Sequence, residues 1–214
     1  MQFPWQPTPR WLVVGAGFAL FVGLGVVVVG AEPTVEEHPV FDLLDGYRSE
    51  GLDLAGRAIT HAGDGETLVL ATVLLVAAML WRKKKRAALF VTVSMVGAWA
   101  LTLGLKFAVG RPRPGLEHLI HASGYAFPSG HSLGALALAL TASLAFGHVW
   151  PRAIRPLALL LIPLAVLVGL SRIYLRVHYP TDVAAGFGLA VAWVFSVHYL
   201  ILGAGDRSGG GRSR

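Results

Sequence analysis

Residues 11–30 (WLVVGAGFALFVGLGVVVVG) run for twenty positions without one ionisable side chain. In water such a stretch would have to be buried on every side. In a bilayer it is the length that spans the hydrocarbon core as a helix. Five more apolar runs follow, at 67–81, 87–105, 129–146, 157–170 and 183–202. A chain of 214 residues that is 55% hydrophobic and 14% charged has too little polar surface to present these runs to water. The backbone groups of a spanning segment must be satisfied internally, and helices do this within one segment. The expected fold class is therefore all-α: a polytopic membrane protein of six transmembrane helices. The run at 67–81 is short for a span, so its helix is expected to begin earlier, near Gly63. The first run is longer than a signal-peptide core and is read as a retained span. Three segments are expected: an irregular N-terminal piece (1–10), the six-helix membrane domain (11–203), and a disordered Gly/Ser/Arg tail (204–214).

Charge is sorted by loop. The formal net charge of +6 would suggest nucleic acid in a soluble protein. Here Arg82-Lys83-Lys84-Lys85-Arg86, the turn with Arg152 and Arg155, Arg10 and the tail all fall on one side of a six-span topology. By the positive-inside rule that side is cytoplasmic, and no nucleic-acid partner is expected. Residues 31–66 carry nine acids (Glu32, Glu36, Glu37, Asp42, Asp45, Glu50, Asp53, Asp64, Glu66) against Arg48 and Arg57. Val40, Leu44 and Tyr47 fall on one helical face, as do Leu52, Ala55 and Ile59. Two short amphipathic helices on the outer membrane surface, hinged near Gly51, are expected there.

The same parity brings three charged stretches to the outer side. The first is Lys106-Phe107-Ala108-Val109-Gly110-Arg111-Pro112-Arg113-Pro114. The second is Pro128-Ser129-Gly130-His131, and the third runs from Ser171 to Asp182. An ionisable residue at a membrane segment is a functional-site hypothesis by default. Lys106, Arg113 and Arg172 supply cations suited to phosphate oxygens. Ser129 offers a hydroxyl, and the Gly130 amide opens the fourth span, where a helix N-terminus favours an anion. His178 and Asp182 are four apart, so a helical turn can bring them together. The carboxylate would then fix the imidazole's tautomer and leave the other nitrogen free to attack phosphorus. His131 remains as the general acid for the leaving oxygen. Arg111 and Arg176 are further cations beside the motifs and are candidates for a second phosphate or a lipid head group. With no cysteine in the chain there is no thiolate chemistry. Glu117, His118 and His121 have too few neighbouring donors for a metal site, and neither a metal nor another cofactor is expected.

Read together, the stretches give K-x6-R-P, then P-S-G-H, then S-R-x5-H-x3-D, in that order. This resembles the type 2 phosphatidic acid phosphatase family, which shares its site with the vanadium haloperoxidases. Every signature position is matched, and the three motifs span Lys106 to Asp182. The resemblance implies a lipid phosphate phosphatase working through a phosphohistidine, with His178 as nucleophile, Asp182 as its partner and His131 as acid. Its implied substrates are undecaprenyl pyrophosphate, phosphatidylglycerol phosphate or phosphatidic acid, held at the outer face of a bacterial plasma membrane. The alternatives are a phosphate-lipid binder or transporter without catalysis, and vanadate-dependent halide oxidation. The intact His178, Asp182 and His131 argue against the first. The small, membrane-embedded chain argues against the second.

Overall fold

The structure is a computed structural model that describes residues 10–30 and 38–203. The expectations for residues 1–9, for Glu32, Glu36 and Glu37, and for the tail from 204 lie outside the described residues. The helices in chain order are α1 (Arg10–Gly30), α2 (His38–Asp45), α3 (Glu50–Thr60), α4 (Gly65–Trp81), α5 (Lys85–Val109), α6 (Gly130–Val149), α7 (Ile154–Tyr174) and α8 (Pro180–Ile201). Short 3-10 turns lie at His61–Gly63 and Pro151–Ala153. The all-helical expectation holds, and five single helices are long and apolar enough to cross a bilayer. The sixth span is a bent pair: Glu50–Gly63 and Gly65–Trp81 meet at 45°. Alone, the 17 residues of α4 reach about 25 Å, short of a core about 30 Å thick. The break falls at Asp64, whose ψ of 147° takes the chain out of helix for one residue.

Helix α6 is the hub and packs against α4, α5, α7 and α8. Ala135, Ala137, Ala139, Ala142 and Ala145 are buried along it. Lipid tails are as apolar as leucine, so helices in a bilayer gain most from close van der Waals packing, and small side chains permit it. The same logic joins α1 to α8. A Cβ on Gly17 would lie 2.7 Å from the Gly188 carbonyl oxygen, and one on Gly188 would lie 2.9 Å from that of Gly17. The two backbones touch, and either alanine would force them apart.

Three expectations need correction. Helix α7 does not stop at 170 but continues through Ser171, Arg172, Ile173 and Tyr174, so half of the charged third stretch is helix end rather than loop. Pro163 lies inside α7 without ending it. The break between α2 and α3 lies at 46–49, not at Gly51. Ser49 caps α3 by accepting a hydrogen bond from the Leu52 amide at 3.3 Å, which puts Gly51 in the first turn. Each of the two expected apolar faces is packed into the protein only in part. On α2, Leu44 of the expected face packs into the protein beside Phe41, against Tyr179 and Ile173, while Val40 and Tyr47 are exposed. On α3, Ile59 of the expected face packs against the core beside the buried Gly56 and Thr60, while Leu52 and Ala55 are exposed. Where α3 rests on α7, Gly56 and Thr60 allow close approach and Leu52 and Leu54 are left outside, so apolarity alone does not name the packed face.

Candidate active site

The site is assembled at one end of the bundle from four helix ends and two loops. The last turn of α5 carries Lys106, and Gly110 closes that helix in the left-handed conformation (φ 65°). The loop that follows bears Arg111 and Arg113. Ser129 caps α6, its side chain accepting from the Ser132 amide. The last turn of α7 brings Arg172, and Asp182 lies in the first turn of α8.

Backbone and side-chain hydrogen bonds tie the three motifs together. The Ser129 amide donates to the Asp182 carbonyl at 3.0 Å. The Val177 and His178 amides both donate to the Arg172 carbonyl, at 3.2 and 3.3 Å. Arg113 donates to the carbonyls of Ser123 (2.8 Å), Gly124 (3.0 Å) and Val177 (2.6 Å), and reaches His178 Nε2 at 3.2 Å. Lys106 Nζ donates to the Tyr125 carbonyl. The charges of Lys106, Arg113 and Arg172 act on one another, and those of Arg113 and Arg172 act on both histidines. Three cations and two imidazoles thus share one small volume.

His178 is buried, 2% exposed, between these groups. Its Nδ1 lies 3.4 Å from Asp182 Oδ2. That is longer than a closed hydrogen bond, and catalytic contacts of this kind tighten when substrate binds. With Nδ1 carrying the proton toward the carboxylate, Nε2 presents a lone pair to Arg113. Burial pushes the His178 pKa down to about 3, with Asp182 opposing the shift. The ring is therefore neutral near pH 7, as a nucleophile requires. Burial likewise lowers the Arg113 pKa, which Asp182 partly offsets.

Asp182 is itself held from both sides. Its Oδ2 accepts the Tyr179 amide at 2.9 Å, closing the cap of α8, and its Oδ1 accepts from Arg111 at 2.5 Å. Arg111 also donates to Thr181 Oγ1 at 2.7 Å and stacks over the Tyr179 ring, 4.0 Å from its centroid. Arg176, in a left-handed turn at φ 59°, donates to Asp45 at the end of α2. Both cations considered for a second phosphate are thus engaged by carboxylates.

Two contributors come from outside the motifs. Thr60, buried at the end of α3, accepts from Arg172 at 2.7 Å. Asp64, at the break before α4, bonds His131 Nε2 at 2.9 Å through one oxygen and His61 Nδ1 at 2.7 Å through the other. In the sequence Asp64 was one of nine acids in one segment, with nothing in its spacing to single it out. Its place just before the apolar run at 67–81, beside Gly63 and Gly65, was the available signal.

A fold of membrane helices that gathers Lys106, Arg113, Ser129, His131, Arg172, His178 and Asp182 at one end defines a class. Residues 87–205 match the PAP2 superfamily, and the chain belongs to that superfamily. It is 34% identical to phosphatidylglycerophosphatase B of Bacillus subtilis over 145 residues, 65% of this chain and 70% of that one. It is 32% identical to a decaprenylphosphoryl-5-phosphoribose phosphatase of Mycobacterium tuberculosis over 172 residues, 77% of this chain and 84% of that one. The fold superposes on the crystal structure of a transmembrane PAP2 type phosphatidylglycerolphosphate phosphatase from Bacillus subtilis with a TM-score of 0.75. The identity is 27%, and the match covers 93% of this chain and 99% of the other.

Proposed function

We propose that this protein hydrolyses the phosphate monoester of a membrane lipid at the outer membrane face, through a phosphohistidine at His178 and without a metal ion. One observation carries the reading: a buried neutral His178 with Asp182 on one nitrogen and Arg113 at the other. In the first step Nε2 attacks phosphorus and the ester P–O bond breaks. Its electron pair goes to the leaving oxygen, which takes a proton from His131. Lys106, Arg113, Arg172 and the Gly130 amide hold the phosphoryl oxygens as charge spreads over them. In the second step His131 takes a proton from water. The water oxygen attacks phosphorus, the N–P bond breaks, and inorganic phosphate leaves.

The lipid part of the reading rests on an apolar groove between α4 and α5. It has a volume of about 690 Å³, is lined by Leu68, Val76, Met95 and Trp99, and reaches Gly130 beside the phosphate site. A chain lying there would place its head group among the cations. The relatives' names point to lipid phosphates too. A monoester is favoured over a pyrophosphate because Arg111 and Arg176 are committed to Asp182 and Asp45, leaving three cations for one phosphate. Metal-free chemistry is supported by the donor set. Among the described residues no group of three His, Asp or Glu side chains converges as ligands.

The test is phosphate release by purified protein over a panel of lipid monophosphates and pyrophosphates, with and without EDTA, together with trapping of a phosphoenzyme by an alkaline denaturing quench. A base-stable, acid-labile label is expected on wild type and absent from His178→Ala. Turnover lost in EDTA and restored by magnesium would refute the metal-free step. Release from pyrophosphates alone would refute the monoester preference.

A further inference from the structure

The break between α3 and α4 is not needed to cross the membrane, yet it touches the catalytic machinery at two points. Asp64 Oδ1 bonds His131 Nε2 at 2.9 Å. Beside it, Gly63 abuts the same ring. A Cβ at Gly63 would lie 3.0 Å from His131 Cδ2 and 2.6 Å from Val168 Cγ1, so any larger residue would have to displace the imidazole or Val168. The second oxygen of Asp64 is held by His61 Nδ1 at 2.7 Å, which fixes the plane of the carboxylate. Nothing in the three motifs encodes this contact, since Asp64 lies 67 residues before His131.

We propose that Asp64 is the positioning residue of the general acid. It binds His131 Nε2–H, turns Nδ1 toward the leaving oxygen, and offsets the cations that oppose an imidazolium there. Those cations are Arg172 from the end of α7 and Arg113 from the loop after α5, and Asp64 is the carboxylate that faces them at His131. On binding the anionic substrate the ring takes up a proton from solvent, so that before the P–O bond breaks it carries protons on both nitrogens. The Nδ1 proton passes to the leaving oxygen, and the ring is left neutral with Nε2–H still on Asp64. In the second step Nδ1 takes a proton from the attacking water, restoring the imidazolium. The site thus pairs each histidine with its own carboxylate: Asp182 holds the nucleophile, and Asp64 holds the acid.

The proposal rests on His131 being the acid, so the experiment separates the two claims. Turnover of an alkyl lipid phosphate, whose leaving alkoxide needs a proton, is compared with that of p-nitrophenyl phosphate, whose leaving phenolate does not. The ratio of the two rates is read on one sample, so any misfolded fraction cancels. His131→Ala should lower the alkyl rate by about 10²–10⁴-fold and the aryl rate far less. Asp64→Asn should lower the alkyl-to-aryl ratio about tenfold or more, Asp64→Glu should restore part of it, and the double variant should be no worse than His131→Ala alone. If Asp64→Asn leaves the ratio unchanged while His131→Ala lowers it, the role of Asp64 is overturned and the acid assignment stands. If His131→Ala itself leaves the ratio unchanged, the acid assignment falls and the role of Asp64 falls with it.

Discussion

Replacing Arg111 by Gln tests whether this guanidinium serves the substrate or the protein. Arg111 is 6% exposed and its NH1 lies 2.5 Å from Asp182 Oδ1, while Asp182 is fully buried. Gln removes the charge and leaves Asp182 with the Tyr179 amide and the His178 ring. A buried carboxylate that loses its charged partner costs about 3–5 kcal/mol of stability. The catalytic cost follows from the lost charge-assisted bond. About 1.5–3 kcal/mol of orientation withdrawn from Asp182 becomes about 10- to 150-fold in kcat. Because the effect passes through Asp182, it should be the same for a lipid monophosphate and a lipid pyrophosphate. It should also largely vanish in an Asp182→Asn background. The assay is phosphate release from both substrates in detergent micelles, on protein shown monodisperse by size exclusion. A loss confined to the pyrophosphate would refute the reasoning and place Arg111 at a second phosphate. Full additivity with Asp182→Asn would do the same for the route through Asp182.

Two further outcomes are expected. The His178 pKa of about 3 lies below the ordinary value of 6.5, so between these values the unfolded chain binds more protons than the folded one. Stability from the neutral ring is full above pH 6.5 and is lost as pH falls toward 3, by up to about 1.4 kcal/mol per unit. The apparent melting temperature of wild type should therefore fall more steeply with acid than that of His178→Gln, and parallel curves would contradict the burial argument. The second outcome concerns sidedness. The basic turn at Arg82–Arg86 lies at the opposite ends of α4 and α5 from Asp64 and Lys106, and Arg82 stacks on Trp150 at the base of α6, 4.9 Å from the ring centroid. Single cysteines at Glu117 and Lys84, in a chain that has none, should be labelled by an impermeant reagent in intact cells at Glu117 only. Labelling at Lys84 only would put the site inside.

Much of the site could be read before any coordinates, because phosphate chemistry restricts residue type and membrane topology restricts placement. Six runs and a one-sided Lys/Arg distribution bring the three motifs to one face without knowledge of the packing. The spacing of His178 and Asp182 then suffices to pair them, although the contact forms across a helix start rather than within a helix. Arg111 and Arg113 show where the reading stops. They flank Pro112, which keeps this stretch out of helix, and side chains two apart leave an extended chain on the same side, so both guanidiniums enter one site. Within it one meets Asp182 and the other His178. Their shared side was legible, but which residue faces which partner depends on how α8 docks, and α8 is held by contacts as remote as Gly17 with Gly188.

The break at Asp64 is where fold and chemistry constrain each other most closely. A continuous helix from α3 into α4 would satisfy every backbone bond in the span, and interrupting it at membrane depth is tolerated only where protein surrounds the loose groups. Here the turn is covered by α6 and α7, which it contacts directly. The Leu68 amide donates to the Asp64 carbonyl at 2.9 Å, and the Asp64 amide donates to the His61 carbonyl at 3.2 Å. The Thr67 hydroxyl donates to the same His61 carbonyl at 2.9 Å. The backbone is thus largely repaired around a kink, and the kink delivers Thr60 to Arg172 and Asp64 to His131. A straight helix would carry residues 60 and 64 one turn apart on a single face, at one fixed spacing. By bending 45° at this residue, the chain can meet a guanidinium on α7 with one side chain and an imidazole on α6 with the other.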